Sequence, residues 1–184
     1  MRVEIFDRME QCTEQEVQRM IPLVSAQRRE QALRYKHTLG QFCCLKSWLM
    51  LKELLGQVGF NRIDSDEFRY NPNGKPYLEG GPYFSISHCK AGIAVAVDDQ
   101  PIGIDIEAIR HADEELIKRT MSSEEQFGMD DRKFTRLWTQ KEAVVKAEGT
   151  GIYSFEQLQT VLNNNQWKLE TFEKANYIYS IAYE

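Results

Sequence analysis

Residues Pro101 to Glu107, PIGIDIE, limit the possible folds of this chain more than any other segment. Side chains alternate across a β-strand, so the pattern predicts a strand with two chemically different faces. One face carries Ile102, Ile104 and Ile106, and the other carries Gly103, Asp105 and Glu107. The isoleucine face needs a core to cover it. The other face holds two carboxylates about 7 Å apart by strand rise, which is typical either of a solvated acidic edge or of a site for a cation.

Other strands are predicted on both sides of this one. Tyr83–His88 and Gly92–Val97 have strand composition, and we expect them to be neighbours of Pro101–Glu107 in one sheet. The turn-forming sequence DDQP after Val97 favours a hairpin between the second and third of these strands. A short strand around Val3 and Ile5 begins the chain, and two strands, Trp167–Phe172 and Tyr177–Tyr183, end it.

The helical segments alternate with these strands. Apolar spacing predicts helix from Ser25 to Leu55 with a break near Thr38 to Gly40, and a second long helix from about Asp130 to Ala147. The sequence EGTG at 148–151 ends the second helix. Shorter helices are predicted near 112–120 and 122–127, and NPNGKP at 71–76 is predicted to be a surface turn.

Composition excludes several classes of protein. The 184 residues are 42% hydrophobic and 28% charged, which rules out disordered, collagen-like and coiled-coil chains. The net charge of -5 gives no general attraction to nucleic acid or anionic lipid, so we expect neither as a partner, and an anionic ligand would need a local basic patch. Four cysteines without metal-ligand spacing and a charged start without an apolar run predict a soluble, cytoplasmic protein.

The sequence FTRLWTQKEAVVK, at 134–146, favours the cation site over the solvated edge. On a helix Glu142 and Lys146 share one face, whereas Lys141 lies about 100° round the axis. Taken alone, the pair is a surface ion pair that stabilises the helix slightly. The apolar residues at 143–145 instead indicate that Glu142 and Lys146 sit in a cleft. A third carboxylate flanked by lysines suits a metal-bound pyrophosphate, with Mg²⁺ as the metal.

Several cationic and polar residues point to phosphate, although each has an ordinary structural interpretation. Lys75 lies on the stiff turn GKP, and an exposed loop lysine is the commoner case. His88 follows Ser85 and Ser87, which offer donors to an oxyanion; a lone histidine is more often a core residue. Six basic residues are concentrated in one segment: Arg28, Arg29, Arg34, Lys36, His37 and Lys46. Such a cluster fits a solvated helix face and a binding patch equally well.

Four short motifs occur in a characteristic order: GKP, FSISH, IGIDIE and WxxKEAVVK. This combination resembles the 4'-phosphopantetheinyl transferases, and among them the surfactin-synthetase-activating, Sfp-like group. The resemblance covers roughly residues 25–152. It implies transfer of the phosphopantetheine arm of coenzyme A to a serine of an apo acyl or peptidyl carrier protein, with release of 3',5'-ADP.

The resemblance also implies roles for individual residues. Asp105, Glu107 and Glu142 would hold Mg²⁺, with Mn²⁺ as an alternative metal. The catalytic residues would be Glu142, Lys146 and Asp105. Glu142 would act as base for the serine proton, and Lys146 would contact the phosphates. Coenzyme A would be held by Arg28, Lys75, Ser87, His88, Lys141 and Lys146. Glu125, or equally Glu124, matches a glutamate found between the two metal motifs.

The implied fold is α+β, with two similar halves about a pseudo-twofold axis, each with helices packed on a small antiparallel sheet. We expect one compact unit with halves at residues 1–100 and 101–184, and a monomer. One departure from the family is the sequence QFCC at 41–44, where an arginine is usual; Lys46 is a candidate to substitute for it.

Two other classes of function remain as alternatives. A metal-dependent phosphodiesterase or nuclease also combines acidic pairs with a Glu and a Lys, but those sites usually place the lysine two residues after the carboxylate on a strand. A catalytically dead module that binds a carrier protein or a nucleotide is the second alternative. The intact trio of acidic residues argues against it.

Overall fold

The structure is a computed structural model that describes residues 1–61, 68–163 and 166–184. It confirms the predicted α+β class. The helices are α1 (Glu14–Met20), α2 (Ala26–Leu33), α3 (Thr38–Gln57), α4 (Glu114–Thr120), α5 (Ser123–Gln126) and α6 (Asp131–Glu148). The strands are β1 (Arg2–Phe6), β2 (Phe68–Tyr70), β3 (Pro76–Leu78), β4 (Tyr83–Cys89), β5 (Gly92–Asp98), β6 (Ile102–Ala108), β7 (Lys168–Glu173) and β8 (Tyr177–Tyr183). Across the described ranges, no helix is both long and apolar enough to cross a bilayer.

The first sheet is antiparallel with strand order β1-β5-β4. Strand β5 is central and buried on both faces. Ile93, Val95 and Val97 on one face join a core cluster with α1, α2 and α3, whereas Ala94 and Ala96 face the other way. The α3 helix begins at Thr38, so the break in the helical segment lies at 34–37 rather than at the predicted 38–40.

The second sheet is antiparallel with strand order β6-β8-β7. Ile104 lies opposite Ile181 in its register. The prediction that β4, β5 and β6 form one sheet is therefore wrong, and so is the predicted hairpin between β5 and β6. The turn before Ile102 carries the chain from one sheet to the other, because β6 finds its backbone hydrogen-bond partners in β8, some 75 residues later in the chain.

The two sheets meet through the isoleucine face of β6. Ile102, Ile104 and Ile106 are completely buried in a cluster with Ala94 and Ala96 of β5. Burying each such side chain contributes about 1.5–3 kcal/mol of hydrophobic free energy. The predicted two-faced strand is confirmed, and its apolar face packs between the two sheets.

Helix α6 covers the other face of β6, and Gly103 sets how closely it approaches. A Cβ atom on Gly103 would lie 1.9 Å from the Ala143 carbonyl oxygen and 2.5 Å from the Ala147 nitrogen. Only a residue without a side chain allows this distance. The contact places the polar face of β6 directly beside the face of α6 that carries Glu142 and Lys146.

Both ends of α6 are capped. The Asp130 side chain accepts a hydrogen bond from Lys133 N at the start, and Gly149 adopts a left-handed conformation with φ of 70° at the end. These features agree with the predicted end of the helix. Every strand of the first sheet precedes residue 100 and every strand of the second follows residue 101. The pseudo-twofold axis and the division into halves at residue 100 stay predictions.

Candidate active site

Asp105 is the centre of a charged cluster where β6, β4 and α6 meet. Its side chain is buried, and its Oδ1 accepts two hydrogen bonds. One comes from Lys146 Nζ at 2.6 Å and the other from Ser87 Oγ at 2.7 Å. Ser87 lies on β4, so these bonds join residues from both sheets and from α6. The structure thus brings Asp105 and Lys146, which belong to two separate motifs, into direct contact.

Glu142 lies in the same cluster with a strongly perturbed pKa. Burial and the neighbouring charge of Asp105 raise its pKa to about 7, whereas the positive charge of Lys146 opposes the rise. Burial and the charge of Asp105 also raise the pKa of Glu107. The three carboxylates therefore repel one another across a partly desolvated space. Such mutual perturbation is typical of functional sites.

The carboxylates of this cluster are the type of ligand that a divalent cation prefers, although the described side chains are not arranged as a closed metal site. Asp105 Oδ2 is buried and has no hydrogen-bond partner among the described residues. A hard cation would satisfy this oxygen and relieve the repulsion at Glu107 and Glu142, since Mg²⁺ prefers carboxylate oxygens. As the described side chains stand, no group of three or more His, Cys, Asp or Glu could hold a metal ion. Lys146 supplies the positive charge beside Asp105 instead.

A cavity of about 280 Å³ opens beside this cluster. Glu142 and Lys146 form part of its wall, as expected for a cleft, together with Ser85 and Ile86 of β4. The remaining lining residues come from the turn before β3 and from the end of α6: Asn73, Lys75, Pro76, Val145, Gly149, Gly151 and Ile152. The cavity is therefore built from both parts of the chain.

A neighbouring pocket of about 360 Å³ shares Lys146 and Ile86 with this cavity. Arg28, Ser87 and His88 also line it, so with Lys146 four of the predicted ligand-binding residues lie on one surface. The Arg28 guanidinium lies 4.5 Å from the ring centroid of Trp48 and 5.5 Å from that of Phe68. The pKa of His88 is lowered, first by desolvation and then by the charge of Lys146.

Arg28 is poorly satisfied within the protein. Its Nε atom is buried and lacks a hydrogen-bond partner in the described ranges, and its Nη1 has only the weak acceptor Cys44 Sγ at 4.0 Å. A guanidinium held by aromatic rings and short of acceptors suits an anionic ligand. Lys46, the candidate to substitute for the family arginine, lies over the Phe6 ring at 4.7 Å and not among the residues that line this pocket, and its contact with a ligand stays a prediction.

Lys141 does not reach the cavity. Its side chain is completely buried, and its Nζ donates to Glu125 Oε2 at 2.8 Å and to the Leu158 carbonyl oxygen at 2.6 Å. The predicted contact between Lys141 and coenzyme A is therefore wrong, because helical periodicity turns this lysine away from Glu142 and into the interior. The same contact distinguishes Glu125, which binds Lys141, from Glu124, which is exposed, whereas the match of either one to the family glutamate stays a prediction.

Lys75 lines the cavity, but its ammonium is engaged elsewhere. Its Nζ donates to the carbonyl oxygens of Ile102, Lys146 and Ala147. Burial lowers its pKa to about 8. The sequence predicted a lysine presented on a stiff turn and did not predict that the end of α6 would bind it. Its contact with a ligand stays a prediction.

Two contacts escaped the sequence analysis. Arg110 lies 5.2 Å from the ring centroid of Trp138, and its charge opposes the rise in the pKa of Glu107. Ser85 Oγ accepts a hydrogen bond from Ile104 N at 3.0 Å, which ties β4 to the edge of β6. A basic residue three positions after Glu107 could have indicated the first contact. Nothing in the sequence pairs Ser85 with Ile104.

Comparisons with known proteins point to one family. A family model described as the 4'-phosphopantetheinyl transferase superfamily matches residues 101–182, which include β6 and α6. The chain is 31% identical over 140 residues to the 4'-phosphopantetheinyl transferase AcpT of Salmonella typhi, with 66% of this chain and 73% of that protein covered.

Two further relatives are longer proteins. The 4'-phosphopantetheinyl transferase gsp of Aneurinibacillus migulanus is 29% identical, with 71% of this chain and 58% of that protein covered. The 4'-phosphopantetheinyl transferase Sfp of Bacillus subtilis (strain 168) is 28% identical, with 76% of this chain and 66% of that protein covered. The chain thus spans less than two thirds of the length of either relative.

Proposed function

The chain belongs to the 4'-phosphopantetheinyl transferase superfamily, and from this premise we propose that it transfers the 4'-phosphopantetheine arm of coenzyme A to a serine of an apo acyl or peptidyl carrier protein. The observation that carries the proposal is the cluster of Asp105, Glu107, Glu142 and Lys146 beside a cavity. With a divalent cation on the carboxylates, the cluster would offer positive charge to a pyrophosphate.

The reaction is a displacement at phosphorus. The serine Oγ forms a bond to the phosphorus that carries pantetheine, and the bond from that phosphorus to the bridging oxygen breaks. The electron pair leaves with 3',5'-ADP. Such a reaction needs little covalent help from protein, because positioning and neutralisation of charge provide most of the acceleration.

Glu142 is the residue best suited to take the serine proton, directly or through a water molecule. Without a metal, burial and the neighbouring carboxylates raise its pKa to about 7. A bound cation would favour the ionised form, which is the form that accepts the proton. Asp105 and Lys146 fix the electrostatic environment of this base.

Asp105, Glu107 and Glu142 would hold Mg²⁺, or Mn²⁺ in its place. When bound, the metal would neutralise charge on the pyrophosphate. Lys146 would contact the phosphates with the ammonium that now pairs with Asp105. Ser87 supports Asp105, and His88 and Lys75 line the surfaces on which the rest of the ligand would lie.

Arg28 would meet the 3'-phosphate of coenzyme A. Its guanidinium lies over the rings of Trp48 and Phe68 and has no strong acceptor among the described residues, so a phosphate would gain hydrogen bonds without displacing a strong partner from that part of the chain. We expect a monomer that acts in the cytoplasm. The four cysteines are free thiols, which supports a reducing compartment.

Intact-mass spectrometry tests the proposal. Purified protein with Mg²⁺ and coenzyme A should add one phosphopantetheine to an apo carrier protein. Glu142→Gln should lower the rate by about 100-fold or more, as loss of a general base does. Glu148→Gln, an exposed change on the same helix, should retain the wild-type rate. Absence of a mass shift on both acyl and peptidyl carriers would contradict the transferase function.

A further inference from the structure

The turn at residues 71–75 binds the C-terminal end of α6. Asn71 Nδ2 donates to the Gly149 carbonyl oxygen at 2.8 Å, and Asn73 Nδ2 donates to the same oxygen at 3.1 Å. Lys75 Nζ donates to the carbonyl oxygens of Lys146 and Ala147. The last carbonyl groups of a helix have no partner within it. Here a distant part of the chain supplies partners for three carbonyl groups at this end.

Asn71 both shapes this turn and attaches it to the end of α6. Its Oδ1 accepts hydrogen bonds from the backbone nitrogens of Asn73 at 3.0 Å and Lys75 at 2.8 Å. Its backbone nitrogen donates to the Lys75 carbonyl oxygen at 3.0 Å. One side chain therefore fixes the shape of the turn and attaches it to Gly149. Among the described residues, no other side chain of the turn makes both kinds of contact, since the side chains of Asn73 and Lys75 bond only to the end of α6 and to β6.

The turn packs so closely against Gly149 that a side chain at this position would crowd it. Its φ of 70° is left-handed, and a Cβ atom would lie 3.1 Å from Asn71 Nδ2 and 3.3 Å from Lys75 Cδ. The family match at 101–182 includes Gly149 but not the turn. The cap therefore joins two regions of the sequence that lie more than 70 residues apart.

The cap acts on the residues that carry the proposed chemistry. Lys146 contributes a carbonyl to Lys75 and an ammonium to Asp105, so the two contacts fix this residue from opposite ends. Glu142 lies one turn before it on α6. We propose that Asn71 is a positioning residue, which caps α6 in trans and thereby sets where Lys146 and Glu142 stand relative to Asp105. This inference rests on the proposed function.

Asn71→Asp isolates the docking bond. The carboxylate keeps an oxygen for the backbone nitrogens of Asn73 and Lys75, but it loses the donor to Gly149 and puts negative charge at the negative end of α6. Hydrogen exchange of residues 145–150 should become about tenfold faster. The kcat for transfer should fall about tenfold, while KM for coenzyme A changes less than about threefold, because misplacement of reacting groups lowers kcat.

Asn176→Asp is the matched control. Asn176 is exposed in the turn between β7 and β8, so the same change in charge there should leave both readouts at the wild-type level. If Asn71→Asp does not fold, Asn73→Ala removes one of the two donors to Gly149 and leaves the bonds of Asn71 in place. Its effects should be smaller and in the same direction.

The two readouts separate the possible failures. Faster exchange with unchanged kcat would overturn the positioning role, and a lower kcat with unchanged exchange at 145–150 would overturn the cap as its cause. A wild-type protein that transfers nothing to any carrier would contradict the proposed function and the catalytic part of this inference with it. Hydrogen exchange of the variant would then still decide whether the cap holds α6.

Discussion

At the scale of the residue, the candidate site depends on charges that are only partly neutralised. Within the described residues, one carboxylate oxygen of Asp105 accepts hydrogen bonds and the other has no partner, and Glu142 has a pKa raised to about 7. Arg28 likewise has a buried nitrogen without a partner among those residues. Buried polar atoms normally find partners. Two of the three exceptions among the described residues, Asp105 Oδ2 and Arg28 Nε, belong to the candidate site, where a charged ligand would satisfy them; the third, Trp167 Nε1, lies in a core cluster with residues of α6.

The role of Arg28 can be measured with two ligands that differ by one phosphate. Arg28→Ala should raise KM for coenzyme A by about tenfold, since a charge-assisted hydrogen bond contributes roughly 1.5–3 kcal/mol. The variant should discriminate little between coenzyme A and dephospho-coenzyme A in steady-state transfer assays. Arg29→Ala, an exposed neighbour, serves as control and should keep the wild-type preference. Full retention of the preference by Arg28→Ala would remove this residue from the 3'-phosphate site.

At the scale of the element, the close approach of α6 to β6 makes the site. The two elements come from different motifs, and Gly103 is the position at which they touch. A glycine inside a strand often marks a close approach of backbone, so this contact was readable from the sequence in principle. Its partner was not, because nothing in a local pattern says which helix will cover a given strand.

Gly103→Ala should destabilise the protein by at least about 3 kcal/mol and abolish transfer, because the added Cβ would collide with backbone atoms of α6. Gly56→Ala is the matched control. Gly56 lies within α3, and a Cβ there would have Asn61 Oδ1 at 3.6 Å as its nearest contact. This variant should be about 0.5–1 kcal/mol more stable. Urea denaturation measures the stability of both variants. If Gly103→Ala were as stable as the wild type, the close approach of α6 to β6 would be contradicted.

At the scale of the whole molecule, the two sheets are joined by an apolar cluster and by polar bonds at its edge. The isoleucine face of β6 packs against β5, and Ser85 and Ser87 of β4 bond to Ile104 and Asp105. Stability and site chemistry are therefore coupled, since the carboxylates of the site are desolvated by the same packing that holds the sheets together. A coupling of this kind predicts a dependence of stability on pH.

The free energy of unfolding should fall as the pH rises from about 5 to about 7 in metal-free buffer. The pKa of Glu142 is about 7 in the folded protein and 4.5 without its surroundings, so the folded state holds this proton more tightly than the unfolded state. Its contribution to the free energy of unfolding is fully present below pH 4.5 and disappears as the pH rises to about 7. Glu142→Gln should flatten this slope in urea titrations across pH, whereas Glu148→Gln should keep it. An unchanged slope in Glu142→Gln would contradict the raised pKa.

The amino-acid sequence by itself determined which faces and which charges the elements carry. The alternation in β6 placed its isoleucines together, and the periodicity of α6 placed Glu142 with Lys146 and turned Lys141 away. These are local properties, because backbone geometry fixes the direction of each side chain along a strand or a helix.

Only the tertiary structure decided which elements meet. It moved β6 into a sheet with β8, buried Lys141 against Glu125, and engaged the ammonium of Lys75 at the end of α6. The physical reason is that such contacts join residues far apart in the chain, and their formation depends on the burial of the whole core rather than on any short pattern.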